Sequence, residues 1–318
     1  MKMNQLEKLI FPLAAALCLT PWISSSLALS MGLVLAISFN NPYANLAKQL
    51  THKLLSLAVI GLGAGMNLGV IGKVGFQGIG YTVVGIFIAF IVGSILGKLL
   101  KTPKDTSLLI TVGTAICGGS AIAAVAPVIR AKHHEVTVAM GTVFTLNAVA
   151  LFVFPWIGHS LQLSESQFGL WSAIAIHDTS SVVGATLQYG ARALEVGTTV
   201  KLARALWIIP VATLIGFLRM KTKSGKDLEA KPRRPWFILG FILVAAIVTW
   251  FPELQAPGQV VERGAKQLMV LTLFLIGSGM SRSVLRQVGF RPFAQGIALW
   301  VFMATGSLAA IFFNLIAI

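Results

Sequence analysis

The chain alternates long apolar stretches with short polar turns, and ten such stretches can be marked: 9–39, 51–72, 76–100, 106–130, 134–159, 167–190, 197–219, 236–252, 262–284 and 291–317. A helix that crosses the hydrocarbon core needs about 20 apolar residues, within a range of roughly 17 to 25. The pattern therefore predicts an all-α polytopic membrane protein with ten or eleven transmembrane helices. The count turns on the first stretch, whose 31 residues would make a single helix of about 46 Å at 1.5 Å per residue. Pro21-Trp22 offers a point at which it divides in two. A cleaved leader competes with both readings, since Lys2 and Lys8 flank an apolar core and small residues follow near Ser26 to Ala28. The apolar run continues through Phe39, which favours retention. The loops are too short to hold a soluble domain, so residues 1–318 form one membrane domain. Its one extended connection, 220–235, is basic, carries prolines and predicts a cytoplasmic hinge between two groups of helices.

Composition agrees: 56% of residues are hydrophobic and 11% charged, against about 25% charged in a soluble domain. The formal net charge of +15 could indicate a polyanionic partner, but its distribution argues otherwise. On the ten-stretch map, one side collects Lys48, Lys53, Lys98, Lys101, Lys104, Arg282, Arg286, Arg291 and seven cations between Arg219 and Arg234, fifteen in all. Six remain opposite: Lys73, Arg130, Lys132, Arg192, Arg263 and Lys266. Lys and Arg accumulate in cytoplasmic loops, so the excess faces anionic lipid and no nucleic acid is required. This asymmetry places the Arg219 to Arg234 loop in the cytoplasm and the C-terminus on the outer side. Cys18 and Cys117 both lie in apolar stretches, which leaves no disulfide framework, no CxxC metal site and no expected cofactor.

Duplication is common in transporters, and two internal matches occur. Gly61 to Phe76 aligns with Leu275 to Phe290 at an offset of 214, with seven of sixteen positions identical. The copies lie seven stretches apart, an odd separation that implies opposite orientation and an inverted repeat. Ala115 to Val125 aligns with Ala175 to Ala185 at an offset of 60, with fewer identities. It pairs stretches two apart, which implies parallel copies, so the first match is the stronger guide.

Of the ten acids, Asp178 alone falls in the interior of an apolar stretch; the other nine sit at stretch ends or in loops. An ionisable group at bilayer depth costs roughly 2.5 to 3.5 kcal/mol on insertion scales and by default marks a pathway or a binding site. It belongs to the run His177-Asp178-Thr179-Ser180-Ser181. His177 and Asp178 together suit a coupling proton, and the hydroxyls of Thr179 and Ser180 suit an oxyanion. The plainer alternatives are an internal His–Asp pair, or an Asp that caps the second half of a broken helix. A second interruption, Gly118-Gly119-Ser120, has adjacent glycines that lower helix propensity by about 1 kcal/mol each. A break there would aim N–H groups and a positive dipole end at an anion; otherwise the small residues serve close packing. Lys201 and Arg204, three apart on one helix face near the outer end of their stretch, form a cationic site for an anion, a partner for Asp178, or a snorkelling pair beside Trp207. Asn147 and Gln188 read as polar packing groups.

Ile116-Cys117-Gly118-Gly119-Ser120-Ala121-Ile122-Ala123-Ala124, Ile176 to Ala185, Lys201-Leu202-Ala203-Arg204 and Pro235 to Phe241 together resemble the YeiH-type sulfate exporter family of bacterial inner-membrane proteins, over most of the chain. That family is similar to the sodium/proton antiporter and bile-acid symporter type, with a five-plus-five inverted repeat and two crossing discontinuous helices. The resemblance implies breaks in the fourth and ninth of ten spans, at Gly118–Ser120 and at Gly277–Met280. Gly277, Ser278 and Gly279 would then join the substrate site, and His177 to Ser181 would line a cavity instead of breaking a helix. The expected function is secondary active export of a small anion such as sulfate or a related sulfur oxyanion, proton-coupled, by alternating access. A proton- or sodium-coupled carrier of another organic anion is the nearest alternative, and a passive channel a more distant one. An intramembrane hydrolase built on Ser120 or Cys117 with His177 rests on a low-specificity pattern, so no enzyme is expected. Membrane lipid is the remaining partner, and a homodimer is one arrangement left open.

Overall fold

The computed structural model describes residues 5–39, 41–222, 236–279 and 289–316. Nearly all of the 220–235 linker, and Met280 in the expected ninth-span break, lie outside the described residues. All regular structure among the described residues is helical. The first stretch is divided, as Pro21 suggested, into α1 (Gln5–Leu17) and α2 (Ser25–Ser38). Ser24 caps α2 by accepting from the Leu27 N–H at 3.3 Å. α3 (Ala44–Leu62) passes through a 3-10 turn into α4 (Leu68–Leu99). α5 (Lys104–Ala115), α6 (Gly119–Ile129), α7 (His133–Ser160), α8 (Glu165–Ala175) and α9 (Thr179–Tyr189) follow. α10 (Ala191–Ala205), α11 (Ile208–Thr222), α12 (Trp236–Trp250), α13 (Gln255–Ser278) and α14 (Phe290–Phe312) complete the fold.

Four helical segments are long and apolar enough to cross a membrane: Ile71–Leu99, His134–Ser160, Ala191–Arg219 and Phe290–Phe312. The bent pair α12–α13, turned through 113° at Pro252, would make a fifth. Large apolar side chains such as Phe76, Phe87, Leu99, Trp156 and Phe290 stand mostly exposed. A soluble monomer does not present so much apolar surface, whereas a lipid-facing one does. The chain is a multi-pass helical membrane protein.

Two of the predicted crossings are instead folded back on themselves. The 106–130 stretch becomes α5 and α6, and 167–190 becomes α8 and α9, each pair separated by three non-helical residues. Asp105, at the start of α5, pairs with Arg219 near the end of α11. Val128, at the end of α6, lies against Gly216 of the same helix. Both ends of the α5–α6 pair therefore reach one face of the molecule, here called the basic face because Lys98, Lys101 and Lys104 lie there. The α8–α9 pair returns to the opposite face: the Tyr189 hydroxyl donates to the Leu163 carbonyl at 2.7 Å, and Tyr189 stacks on Phe168 at 3.7 Å. The two hairpins thus enter from opposite sides, with α7 running between their bases.

This arrangement corrects the reading of the internal matches. Adding 60 to each position of α6 gives α9, so the weaker match marks equivalent elements. They were read as parallel because each stretch was counted as a full crossing. Since α5–α6 folds back, the parallel orientation inferred from counting full crossings no longer follows. The other match is only partly visible, because 280–288 lies outside the described residues. α13 runs unbroken through Ser278. Gly277 sits there because a Cβ would lie 2.4 Å from the Leu29 carbonyl oxygen of α2; its smallness serves close helix packing.

Helices α4, α7, α10, α11 and α14 surround the hairpins, while α2, α3, α12 and α13 pack chiefly on one another. α9 meets α13 and α2 at the boundary between these groups.

Candidate functional site

The tips of the two hairpins meet. Gly118, which precedes α6, has φ 64° and ψ −128°, a conformation that side chains resist. A Cβ there would also lie 3.0 Å from the Asp178 Cβ and 3.3 Å from its Cα. Both the backbone shape and the contact require glycine, and they put the start of α6 directly against the start of α9.

Asp178 is the N-cap of α9. Its Oδ1 accepts from the Ser181 N–H at 3.0 Å and from the Ser180 hydroxyl, and its Oδ2 accepts from the Ser181 hydroxyl at 2.7 Å. The carboxylate also compensates the positive end of the α9 dipole. Thus the polar run does break a helix, and the implied alternative, an unbroken lining segment, does not hold. Thr179, Ser180 and Ser181 are all buried within the first turn of α9.

His177 is buried, and its N–H donates to Asn147 Oδ1 at 3.1 Å. Its ring pairs with no side chain and faces the Val143 backbone; Asn147 Nδ2 and Thr114 Oγ1 have no protein partner. Asn147, expected to be packing glue, is therefore the side chain by which α7 holds the second tip.

Lys201 and Arg204 lie near the middle of the 191–219 segment, not at its outer end, and both are essentially fully buried. Arg204 donates to the carbonyls of Ala115 (2.7 Å), Thr114 (3.3 Å) and Ile174 (2.7 Å). Lys201 donates to the carbonyls of Ile176 (2.6 Å) and Ala173 (3.4 Å). These carbonyls close α5 and α8, where the last turn of a helix leaves acceptors unsatisfied and a negative dipole end. The two cations therefore act as C-terminal caps, and Arg204 joins one hairpin to the other. Among the described residues neither forms a salt bridge with Asp178.

Of the four helix ends at the crossing, the carbonyl ends of α5 and α8 hold cations and the amide end of α9 holds a carboxylate. The amide end of α6 has no side-chain cap. The Ala121 N–H faces the Cys117 sulfur, which leaves the first-turn amides of Gly119 and Ser120. Ser120 is exposed, as are Ala123 and Pro127 on the same side of α6. Gly277, Ser278 and Gly279 are not part of this cluster. They close α13 beside α2, where Asn41 Nδ2 donates to the Ser278 carbonyl at 2.9 Å.

A polytopic helical membrane protein with two oppositely inserted hairpins, joined at their tips by buried cations, is the class these features define. Within it, the chain belongs to the family described as conserved hypothetical protein 698, whose model matches residues 9–296. It is 59% identical over 311 residues to a UPF0324 membrane protein of Bdellovibrio bacteriovorus, covering 98% of this chain and 96% of the relative. A UPF0324 membrane protein of Geobacter sulfurreducens is 48% identical, with 97% of each chain covered. No solved structure matches the chain.

Proposed function

We propose that the protein is a secondary transporter of a small oxyanion, bound at the start of α6 and exchanged between the two faces by alternating access. One observation carries this reading. Position 118 is the repeat equivalent of Asp178: α9 is capped by its own carboxylate, whereas α6 has a glycine in the corresponding place. A carboxylate, sulfate, sulfite or sulfonate group fits the role that Asp178 plays for the other hairpin, received by the Gly119 and Ser120 amides and the Ser120 hydroxyl. For coupling, Asp178 is tied by Ser180 and Ser181, so His177, whose ring pairs with no other side chain, is the group placed to carry a proton.

Orientation follows from charge. Once α5–α6 folds back, Arg130 and Lys132 join the basic face, giving seventeen cations there against Lys73, Arg192, Arg263 and Lys266 opposite. That sharper asymmetry supports a cytoplasmic basic face in a bacterial inner membrane, with a periplasmic C-terminus.

The test is a binding and flux experiment on purified protein, with sulfate, sulfite, thiosulfate, small carboxylates and sulfonates offered separately. Ser120→Asp supplies an internal anion to α6 and is expected to abolish binding with the melting temperature retained. Ser120→Ala is expected to weaken binding roughly tenfold, the equivalent of ~1.4 kcal/mol. In liposomes, His177→Gln removes the titrating ring, and anion flux should lose its dependence on a proton gradient while binding persists. Binding that is indifferent to Ser120→Asp would sink the proposed site.

A further inference from the structure

The basic face carries a second feature that the hairpin crossing does not use. A cavity of about 470 Å³ opens between the start of α5, the start of α7 and the start of α14, lined in part by Lys101, Thr106, His134, Phe290 and Arg291. Lys101, His134 and Arg291 come from three separate elements, and among the described residues none of them takes part in a salt bridge. Among the described residues no acid lines the cavity. The two acids nearby in sequence are already engaged: Asp105 pairs with Arg219, and Glu135 Oε2 accepts from the Lys132 N–H at 2.8 Å. Three helix N-termini also converge there, each with a partial positive charge that Asp105 and Glu135 partly offset in α5 and α7. Cationic side chains, amide ends and no lining acid make a site for a multiply bonding anion.

We propose that this cavity binds a phosphoryl anion, in the first instance the headgroup of an anionic phospholipid. Its other walls are apolar, with Pro103, Val138 and Pro292 beside the exposed ring of Phe290. Leu99, two residues before Lys101 at the end of α4, is largely exposed as well. An acyl chain lies against such a rim while its phosphate reaches the cations. Basic pockets between transmembrane helices on one side of a membrane protein commonly take such headgroups. Occupancy would brace the base of the first hairpin, because Thr106 belongs to the first turn of α5.

The experiment uses full-length protein in neutral detergent and in nanodiscs. Melting temperature and native mass spectra are recorded with added phosphatidylglycerol, with phosphatidylethanolamine, and with millimolar inorganic phosphate. The wild type is expected to retain phosphatidylglycerol and gain thermal stability from it, and not from phosphatidylethanolamine. The double variant Lys101→Gln/Arg291→Gln should bind it roughly thirtyfold more weakly, since each Lys or Arg near an anionic surface contributes about a factor of five. Lys98→Gln/Lys104→Gln removes the same charge just outside the cavity and should bind as the wild type does. Stabilisation by inorganic phosphate alone would support the site and assign it to a free anion. No preference of the wild type for either phosphoryl ligand, or equal losses in both double variants, would overturn the proposal, and the wild-type arm decides even if a variant fails to fold.

Discussion

Arg204 sets the terms at the scale of single residues. Its guanidinium presents donors in a rigid fork and reaches carbonyls on both hairpins. A lysine at that position keeps the charge but lacks the planar fork. Arg204→Lys is therefore expected to lower unfolding stability by about 2 to 4 kcal/mol, read as a lower melting temperature in detergent; an unchanged melt would mean that the bridge does not matter. The sequence showed that Lys201 and Arg204 were cations on one helix face and out of place in hydrocarbon. It did not show their partners, because backbone carbonyls have no signature in sequence, and so a capping pair was read as an anion site. Asp178 was more legible. The alternative of a carboxylate that caps a broken helix was available from its hydroxyl-bearing neighbours, and that is the role it has.

At the scale of elements, the hairpins were the part that hydropathy could not reveal. A stretch of about 25 apolar residues satisfies the length rule whether it crosses the bilayer or turns back at mid-depth. The discriminating signals were weaker ones. Arg130 and Lys132 stood on the side that should be poor in cations, and the 60-residue offset coincided with two polar interruptions. Folding back moves those cations to the basic face, and this can be measured. With Cys18 and Cys117 replaced, single cysteines at Lys104 and Lys132 should react with an impermeant maleimide from the same side of sealed vesicles. A cysteine at Arg192 should react from the other side. Labelling of 104 and 132 from opposite sides would mean that α5–α6 crosses the membrane.

For the molecule as a whole, the class was fully legible: an all-α, multi-pass membrane protein follows from composition and stretch length alone. Its division into two groups was not, because it depends on which helices pack together. Alternating access through the crossing would move the hairpin group against α2 and α13, and α9 lies at that boundary. A Cβ at Gly184 would sit 2.8 Å from Leu273 Cδ1, so Gly184→Cys with Leu273→Cys should form a disulfide on oxidation. Flux should stop while anion binding persists, and reductant should restore flux; continued flux through the crosslinked protein would exclude relative motion at this contact.

The position of Arg204 along the chain has a consequence for biogenesis. Both hairpins precede it, so a nascent chain can deliver α5 to α9 into the bilayer before the cations that satisfy their carbonyl ends have been synthesised. Until translation has passed residue 204, the Thr114, Ala115 and Ile174 carbonyls lack their final donor. Each unsatisfied group in hydrocarbon costs several kcal/mol. The hairpin tips must then stay near water, or lean on the translocation machinery, until the 191–219 segment is inserted. Completion of the crossing is thus a late step, set by a helix that enters after the hairpins it holds.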